Sequence, residues 1–366
     1  MNFKKIIFHY PGPFYDILDT GEKKRPKKMY EAFCELGYDV FPIVGSYRER
    51  EEKFNQIRNN IEAFNFIYCE NSTMPITMVD ENHIPKPFSI DKKLFKLAHN
   101  KKIPIGVYYR DLYWKFNSFK KEIGILKYYL SLYFYKNELK FYSKYSDVLF
   151  VQSLEFKKAV PYFCQDKIYE LPPGGDGTEN INNEISLPLQ LIYIGSIKPP
   201  IYDISDAIEI IKSMTDKPII LNLVIRKSQS YLIKDYYKGL SDNIKVNHVS
   251  GKELYKLLQQ SHIALMHYRK DKYRKLVKPL KLFEAITFGL PLITNYGTAT
   301  ATFLKQNKFG WIVDAKNDLN KLLNYLISNF HEVKNKRKKI IEHIEEHTWI
   351  ARAKSVEFVL MNKDIK

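Results

Sequence analysis

Two charged side chains within residues 278–294 have the spacing and the setting of a phosphate and ribose site. This stretch is typical of a short helix, a Gly-Pro break and a buried strand. Pro279 is predicted to open the helix, because the first helical position tolerates a missing N–H. Lys281 and Glu284 stand three residues apart, so they share one helix face near its N-terminus. Phosphate is attracted to that end of a helix, and Glu284 can accept hydrogen bonds from sugar hydroxyls. The pair suits a nucleotide diphosphate, although a surface ion pair would have the same spacing.

A glycine-containing loop, residues 11–14, directly follows the first predicted strand. Doubly wound domains present ligands at the carboxyl ends of their strands, and Gly12 would let the backbone come close to a bound ligand. A simple turn between strand and helix would have the same composition. His9 ends the same strand and is a candidate polar contact with a ligand. A hydrogen-bonded histidine of the core fits the pattern equally well.

Charged residues also follow two later strands of the first half of the chain. Arg110 and Asp111 come at the end of the strand 105–109, and Glu70 follows the strand 66–69. Asp111 is a candidate general base, which requires that it lie within hydrogen-bond reach of the proton that it accepts. The alternative to a catalytic role is that Arg110 and Asp111 only fix the conformation of the loop. Glu70 is a further candidate for contact with a substrate.

The elements that must position these residues alternate between strand and helix, which predicts two doubly wound α/β domains. A chain of 366 residues is long enough for both. We expect a first domain at 1–172, a Pro/Gly-rich and polar linker at 173–187, a second domain at 188–345, and a helix at 346–366 that packs back towards the first domain. Besides the strand after Pro291, the predicted strands are 6–9, 40–44, 66–69, 105–109, 148–152, 190–194, 219–225, 245–247, 263–267 and 310–313. The predicted helices include 26–36, 91–100, a long one within 119–145, 202–213, 229–237, 252–260, 319–329 and a long or broken one at 333–361.

The composition narrows the class of protein and its partners. Apolar residues make up 45% and charged residues 27% of the chain, as in a folded, soluble protein. The apolar runs are too short for a membrane span or a signal peptide, and three widely separated cysteines suggest no disulfide framework, so we expect a cytoplasmic protein. A net charge of +17 favours anionic partners. No nucleic-acid-binding motif accompanies that charge, so we expect no nucleic-acid partner.

Residues 114–145 interleave aromatic side chains with seven lysines. Basic helices with aromatic residues bind anionic membrane surfaces, and the sequence favours this interpretation. A core helix with lysines that extend to solvent is an alternative, and so is a surface for single-stranded nucleic acid.

Taken in order, several motifs resemble those of the GT-B glycosyltransferases, particularly the bacterial glycosyltransferase family 4. They are the glycine loop, the linker "PPGGD", the strand and loop "YIGS", the block "KLFEAITFGLPLI" and the terminal "HTWIARA". The resemblance covers most of the chain. It implies two Rossmann-like domains that face each other across a cleft, with the nucleotide-sugar donor on the second domain and the acceptor on the first.

The resemblance also assigns roles to single residues. Glu284 matches the glutamate that holds the donor ribose, and Val249 lies where the family contacts the nucleobase. Two positions depart from the family pattern: Leu276 replaces a glutamate that contacts the transferred sugar, and Ser196 stands in the diphosphate loop without the usual arginine. Another positively charged residue must then bind the negative charge of the diphosphate. Lys281 is the first candidate, followed by three other basic residues: Arg226, Arg274 and Lys278.

On the first domain the resemblance places Gly12, His9, Arg110 and Glu70 on the acceptor or sugar side. It implies a glycosyltransferase that uses a nucleotide diphosphate sugar and a carbohydrate acceptor, such as a lipid-linked intermediate of capsule, O-antigen or another surface polysaccharide. We expect catalysis by Lys281 and Asp111, with no metal and no cofactor, on the inner face of the cytoplasmic membrane. An inactive nucleotide-sugar-binding scaffold of a glycan assembly complex is the alternative.

Overall fold

The computed structural model describes residues 4–16, 20–80, 89–177, 181, 184–199, 201–268 and 273–362. The chain divides into two compact units. The first comprises Met1–Pro173 together with Trp349–Lys366, and the second comprises Gly174–Thr348. Residues 178–180 and 182–183 of the predicted linker lie outside the described residues.

Each unit contains one six-stranded sheet, and the strands of both sheets pair in parallel. Most strands are short apolar runs with nearly every residue buried, as expected where helices cover both faces of a sheet. The strands are β1 (Lys5–Tyr10), β2 (Asp39–Val44), β3 (Phe66–Glu70), β4 (Ile105–Tyr108), β5 (Val148–Val151), β6 (Ile168–Glu170), β7 (Leu189–Ile194), β8 (Ile219–Val224), β9 (Ile244–Asn247), β10 (Ile263–Met266), β11 (Leu292–Asn295) and β12 (Gly310–Val313).

Helices connect the strands, and several begin at a residue whose side chain caps the helix. Ser46 and Glu49 form a capping box before the second helix, which satisfies backbone N–H groups that have no partner within the helix. The helices are α1 (Gly21–Glu35), α2 (Tyr47–Ile57), α3 (Ser89–Asn100), α4 (Asn117–Ile123), α5 (Ile125–Tyr145), α6 (Leu154–Ala159), α7 (Ser205–Lys212), α8 (Tyr231–Asp235), α9 (Gly251–Gln260), α10 (Leu280–Thr287), α11 (Ala299–Asn307), α12 (Lys316–Ser328), α13 (His331–Ile341) and α14 (Trp349–Met361).

The strand order of each sheet identifies where a ligand would bind. The first sheet has the order β2-β1-β3-β4-β5-β6, so the chain adds strands on opposite sides of β1, and the order reverses between β1 and β3. The second has the order β12-β11-β10-β7-β8-β9, the arrangement of dinucleotide-binding folds, and it reverses between β7 and β10. Ligands of doubly wound sheets bind outside the carboxyl ends of the strands at such reversals. The predicted doubly wound α/β architecture is confirmed.

The last part of the chain is a broken helix. After α13 comes a 3₁₀ turn at Ile344–His347, and α14 then belongs to the first unit, where it packs on α1. Arg352 Nε donates to the carbonyl oxygen of Pro173 at 3.0 Å. A β-carbon at Gly106 of β4 would lie 3.0 Å from the Leu360 side chain, so the terminal helix packs closely over this sheet.

Residues 114–145 include two helices, and the two halves of the second helix differ in their surroundings. Gly124, with φ of 82°, separates α4 from α5. In the second half of α5, Leu139 and Tyr142 are fully buried, and the Glu138 carboxylate accepts hydrogen bonds from the backbone N–H of Ile76 at 2.8 Å and from other partners. Burial raises the pKa of Glu138 to about 8. This half of the helix is part of the core of the first unit. The first half exposes its apolar side chains.

The helix that carries Lys281 and Glu284 starts one residue later than predicted. Pro279 has an extended backbone, with φ of −72° and ψ of 149°, and precedes α10 as its N-cap residue, so the helix begins at Leu280. The linker backbone packs tightly against this helix. A β-carbon at Gly175 would lie 2.1 Å from Thr287 Oγ1 and 2.5 Å from the carbonyl oxygen of Phe283. Only glycine fits this position without displacement of α10.

Substituting Gly175→Ala is therefore expected to destabilise the second unit by about 1–3 kcal/mol, the range for overpacking in a closely packed interior. Urea unfolding of the variant and the wild type measures the difference in the free energy of unfolding. Gly177→Ala is the matched control in the same linker. Gly177 has φ of +75°, and its β-carbon would meet only Thr348 at 4.0 Å. The Gly177→Ala variant therefore introduces backbone strain without steric overlap. Equal losses in the two variants would contradict the packing argument.

Candidate functional site

In the second unit, the loop after β7 and the first turn of α10 come together at the point where the strand order reverses. Gly195 follows β7 directly, and a β-carbon at this position would lie 3.8 Å from Lys281 Nζ. Lys281 is half-buried in the first turn of α10, and Glu284 is half-buried three residues later on the same face. Two of the predicted donor residues therefore lie at the carboxyl edge of this sheet. An ammonium group and a helix N-terminus beside a glycine loop can bind a phosphate group.

The loop after β7 is held in place by a glutamine that sequence analysis did not identify. Gln229 Nε2 donates to Ser196 Oγ at 2.8 Å, and Gln229 Oε1 accepts from the backbone N–H of Ile197 at 3.0 Å. Ser196 Oγ also accepts from the backbone N–H of Lys198 at 3.2 Å. The predicted phosphate-loop serine thus interacts with protein groups that fix the loop next to Lys281. The sequence held no signal for this contact, because the two segments are more than thirty residues apart.

Two other predicted phosphate ligands pack against aromatic rings. The guanidinium of Arg274 lies 3.6 Å from the ring centroid of Tyr268, and its Nη2 donates to the carbonyl oxygen of Ile201 at 2.7 Å. Lys278 is buried, with its ammonium 5.2 Å from the ring centroid of Phe303. Cation–π contacts of this kind hold a cation without neutralising it. Arg274 thereby ties the turn before α10 to the segment that follows the β7 loop.

The remaining predicted donor residues lie at the ends of β8 and β9. Arg226 is exposed and begins the turn after β8, and Val249 is half-buried after β9. His248, which precedes Val249, has its Nδ1 2.9 Å from the carbonyl oxygen of Ile225 and its Nε2 3.1 Å from Ser230 Oγ. Since a carbonyl oxygen only accepts, Nδ1 carries the proton. This histidine joins the ends of the two strands.

A histidine at the strand-order reversal was not among the predicted site residues. His267 directly follows β10 and is 2% exposed. Within the described part of the chain, neither of its ring nitrogens has a hydrogen-bond partner. Burial lowers the pKa of His267, so the ring is neutral at pH 7. Its position after a strand can be predicted from the sequence. Its burial, and the lack of a hydrogen-bond partner for its ring nitrogens among the described residues, cannot.

In the first unit, Gly12 lies close to the ring of the preceding tyrosine. A β-carbon at Gly12 would lie 3.0 Å from two ring carbons of Tyr10. The carbonyl oxygen of Gly12 accepts from the backbone N–H of Gly45 at 2.8 Å, which joins the loops after β1 and β2. Glycine at position 12 therefore serves the packing of the loop on Tyr10, whatever ligand the loop meets.

His9 is wholly buried in the first unit and is saturated by protein groups. Its Nε2 lies 2.7 Å from Asp91 Oδ1, and its Nδ1 lies 3.1 Å from Cys69 Sγ. Arg50 completes the network with two further bonds to the Asp91 carboxylate. This placement does not support a role for His9 on the acceptor side, because both ring nitrogens are engaged and the ring is 0% exposed.

The predicted acceptor-side residues Glu70, Arg110 and Asp111 do lie near one another at the carboxyl edge of the first sheet. Glu70 is fully buried, with Arg110 Nη2 3.6 Å from its Oε2. Arg110 Nε donates to the carbonyl oxygen of Asn71 at 3.1 Å. Asp111 is half-buried, and its Oδ1 accepts from the backbone N–H of Tyr113 at 2.7 Å. Its half-buried position leaves Asp111 partly accessible to solvent.

Among the described residues, no group of three or more His, Cys, Asp or Glu side chains could hold a metal ion. Over the same part of the chain, every helix is too short or too polar to cross a bilayer.

Comparisons with known proteins agree with this architecture. Residues 225–357 match the family model described as "Glycosyl transferase-like". No curated protein sequence matches the chain. Among solved structures, the chain is similar to Anabaena HepE in complex with UDP and glucose, with a TM-score of 0.62 and 10% identity over 98% of this chain and 99% of HepE.

Two further solved structures are similar over nearly their whole length. WaaG, a glycosyltransferase involved in lipopolysaccharide biosynthesis, has a TM-score of 0.60 and 14% identity over 97% of this chain and 99% of its own. Sucrose-phosphate synthase from Thermosynechococcus elongatus has a TM-score of 0.60 and 11% identity over 97% of this chain and 98% of its own. At these identities the likeness establishes the fold, and the predicted GT-B architecture is confirmed.

Proposed function

We propose that this GT-B chain, with its glycosyl transferase-like segment at 225–357, transfers a sugar from a nucleotide diphosphate sugar to a carbohydrate acceptor. The observation that carries the proposal is the position of Lys281 Nζ beside Gly195, at the strand-order reversal of the second unit. The solved complexes of the similar protein HepE with UDP and UDP-glucose support a nucleotide-sugar donor.

In the proposed reaction, Lys281 stabilises the negative charge that develops on the departing diphosphate, together with the N-terminal N–H groups of α10. Glu284 holds the ribose of the donor. Asp111 is the candidate general base that would accept the proton of the attacking hydroxyl if the reaction inverts configuration. Transfer would require neither a metal ion nor a cofactor, and full activity in the presence of EDTA would support that part of the proposal.

A thermal-shift screen across UDP-, GDP- and CMP-sugars tests the proposal directly, because a ligand that binds the native state raises the melting temperature. One of the two diphosphate series, UDP or GDP, is expected to do so more strongly than the CMP-sugars, which carry a monophosphate. The matching sugar nucleotide should release free nucleotide when acceptor is supplied. Stabilisation without even slow release would favour the alternative function, a nucleotide-sugar-binding scaffold. No stabilisation by any of the three series would contradict both functions.

We further propose that the acceptor is a lipid-linked glycan of a bacterial surface polysaccharide, such as capsule or O-antigen, handled at the cytoplasmic face of the membrane. WaaG, which shares the fold, acts in lipopolysaccharide biosynthesis, and this supports the proposal. The surface of α5 supports it as well. Five apolar side chains on one face of its first half are between 54% and 85% exposed: Ile125, Leu126, Tyr129, Leu130 and Tyr133. Exposed lysines, including Lys127 and Lys136, flank this face.

An apolar stripe bordered by lysines is complementary to a membrane of anionic lipids. In a flotation assay, the protein is expected to associate with anionic vesicles and much less with neutral ones. Leu126→Glu should reduce that association several-fold, because the side chain is 85% exposed on the stripe. Leu154→Glu, at a 50% exposed leucine outside the stripe, is the matched control and should float like the wild type. Equal flotation of all three proteins would argue against docking through α5.

A further inference from the structure

A cluster of two arginines and one glutamate lies at the carboxyl edge of the first sheet, where its strand order reverses. Glu70 is the last residue of β3, Arg110 comes two residues after β4, and Arg25 is in the second turn of α1. Arg25 was not identified by sequence analysis, since it sits within a run of basic residues that is typical of an exposed helix. All three residues are at least nine-tenths buried, with exposures of 4%, 0% and 8% for Arg25, Glu70 and Arg110.

Arg25 makes the closer contacts with the shared carboxylate. Its Nε donates to Glu70 Oε1 at 3.0 Å and to Oε2 at 3.2 Å. Its guanidinium lies 3.3 Å from the ring centroid of Tyr108, and Tyr68 Oη donates to Glu70 Oε1 at 2.6 Å. Arg110 reaches Glu70 only at 3.6 Å and donates instead to the carbonyl oxygens of Asn71 and Gly21.

The hydrogen-bonding capacity of both arginines is incompletely used. Arg25 Nη1 and Arg110 Nη2 are buried and, within the described residues, have no hydrogen-bond partner. Such groups are costly to bury, because an unpaired donor loses its bond to water and gains none in return. Both unused nitrogens belong to guanidinium groups that contact the Glu70 carboxylate. A further acceptor that carries negative charge would satisfy them.

The charges of the cluster do not balance. Burial opposes the charge on Arg25, but Glu70 outweighs this effect and raises the pKa of Arg25, so it is fully charged. One carboxylate therefore faces two guanidinium groups. Arg352 lies close enough for burial and the charge of Arg25 to lower its pKa to about 9, while Glu170 opposes that shift. A buried excess of positive over negative charge, here two guanidinium groups around one carboxylate, is unfavourable.

We propose that Arg25 and Arg110, bridged by Glu70, form an oxyanion site that binds a phosphate or carboxylate group of the acceptor. The assignment of the anion to the acceptor rests on the proposed function; the anion site itself does not depend on it. Guanidinium groups recognise such oxyanions through paired N–H donors. Arg110 forms the rim of the site, since a tenth of its side-chain surface remains exposed, and Arg25 forms the base.

Melting of the full chain in inorganic phosphate, compared with chloride at the same ionic strength, tests the site. We expect phosphate to raise the melting temperature of the wild type by about 5 °C at saturation. Arg110→Gln should lose most of that rise. Arg48→Gln is the matched control, since Arg48 is an exposed arginine of the same unit with its side chain 88% exposed, and it should keep the rise. An equal rise in Arg110→Gln would overturn the proposal.

A second variant covers the case in which Arg110→Gln does not fold. Glu70→Gln removes the one carboxylate, so this variant should melt lower than the wild type in chloride and gain more from phosphate. If phosphate does not restore Glu70→Gln, the cluster is a structural ion pair only and the proposal fails. Lys281→Gln shows whether phosphate binds in the second unit instead. Loss of the phosphate effect in that variant alone would also overturn the proposal.

Two further comparisons complete the test. One distinguishes a phosphate from a carboxylate ligand, and the other tests the oxyanion site independently of the proposed function. Sodium acetate in place of phosphate tests for a carboxylate, as in an acidic sugar. Stabilisation by phosphate alone points to a phosphorylated acceptor such as a lipid phosphate. If nucleotide sugars neither bind nor turn over but phosphate still stabilises the wild type through Arg110, the oxyanion site stands and the glycosyltransferase proposal fails.

Discussion

Lys281→Ala is expected to lower kcat by about 10²–10³-fold, the loss typical of one preorganised group that stabilises charge in the transition state. Lys281 Nζ lies beside Gly195 in the structure, where it would face the diphosphate of the proposed donor. Its charge matters most when the bond to the sugar breaks and the diphosphate becomes more negative, so kcat should fall more than KM rises. Steady-state kinetics with the identified nucleotide sugar would measure both constants.

Lys281→Arg and Lys256→Ala complete this test. Arginine keeps the charge but not the shape of the lysine, so it should restore part of the activity. Lys256 is exposed on α9 of the same unit, and its replacement should leave kcat unchanged. A kcat in Lys281→Ala within twofold of the wild type would show that this ammonium does not act on the leaving group.

Glu284→Ala is expected to lower kcat/KM by about 10–150-fold, which corresponds to the loss of a charged hydrogen bond of about 1.5–3 kcal/mol. The carboxylate lies on the same face of α10 as Lys281 and is half-buried, which suits a contact with the ribose hydroxyls. The melting-temperature rise with nucleotide diphosphate should shrink in parallel, because the ribose contact exists before the reaction begins.

Glu253→Ala is the control for this variant, since Glu253 is an exposed glutamate in the first turn of α9. It should behave as the wild type in both measurements. Unchanged sugar transfer by Glu284→Ala would count against the ribose assignment. A nucleotide that lacks the ribose 2′-hydroxyl should discriminate less between Glu284→Ala and the wild type, because it cannot form the full set of contacts.

Much of the fold was predictable because buried parallel strands are continuous apolar runs. The predicted strand 6–9 is β1, and the predicted strand 219–225 is β8, each within one or two residues at either end. The resemblance to GT-B glycosyltransferases rested on the order of short motifs along the chain, and that architecture is confirmed. Polar helices were harder to predict. Helix α2, with Ser46 as its cap, carries few apolar residues and was not among the predicted elements.

The site was only partly predictable. Lys281 and Glu284 were identified because their three-residue spacing on a helix shows directly in the sequence. Gln229, His267 and Arg25 were not identified, because their importance comes from contacts or burial. His9 shows the opposite case: its place at a strand end fits both a ligand contact and a hydrogen-bonded core histidine, and the structure has it bonded to Asp91 and Cys69 inside the unit.

The amino-acid sequence on its own determined the alternation of strands and helices, the basic charge, and the helix face that carries Lys281 and Glu284, because each depends on residues close together in the chain. The tertiary structure alone decided the strand orders that place Gly195 beside Lys281 and leave two buried arginines to share Glu70. The physical reason is that burial and ion pairing join segments tens of residues apart. The same arginine is solvated in one packing and shares a buried carboxylate with a second arginine in another.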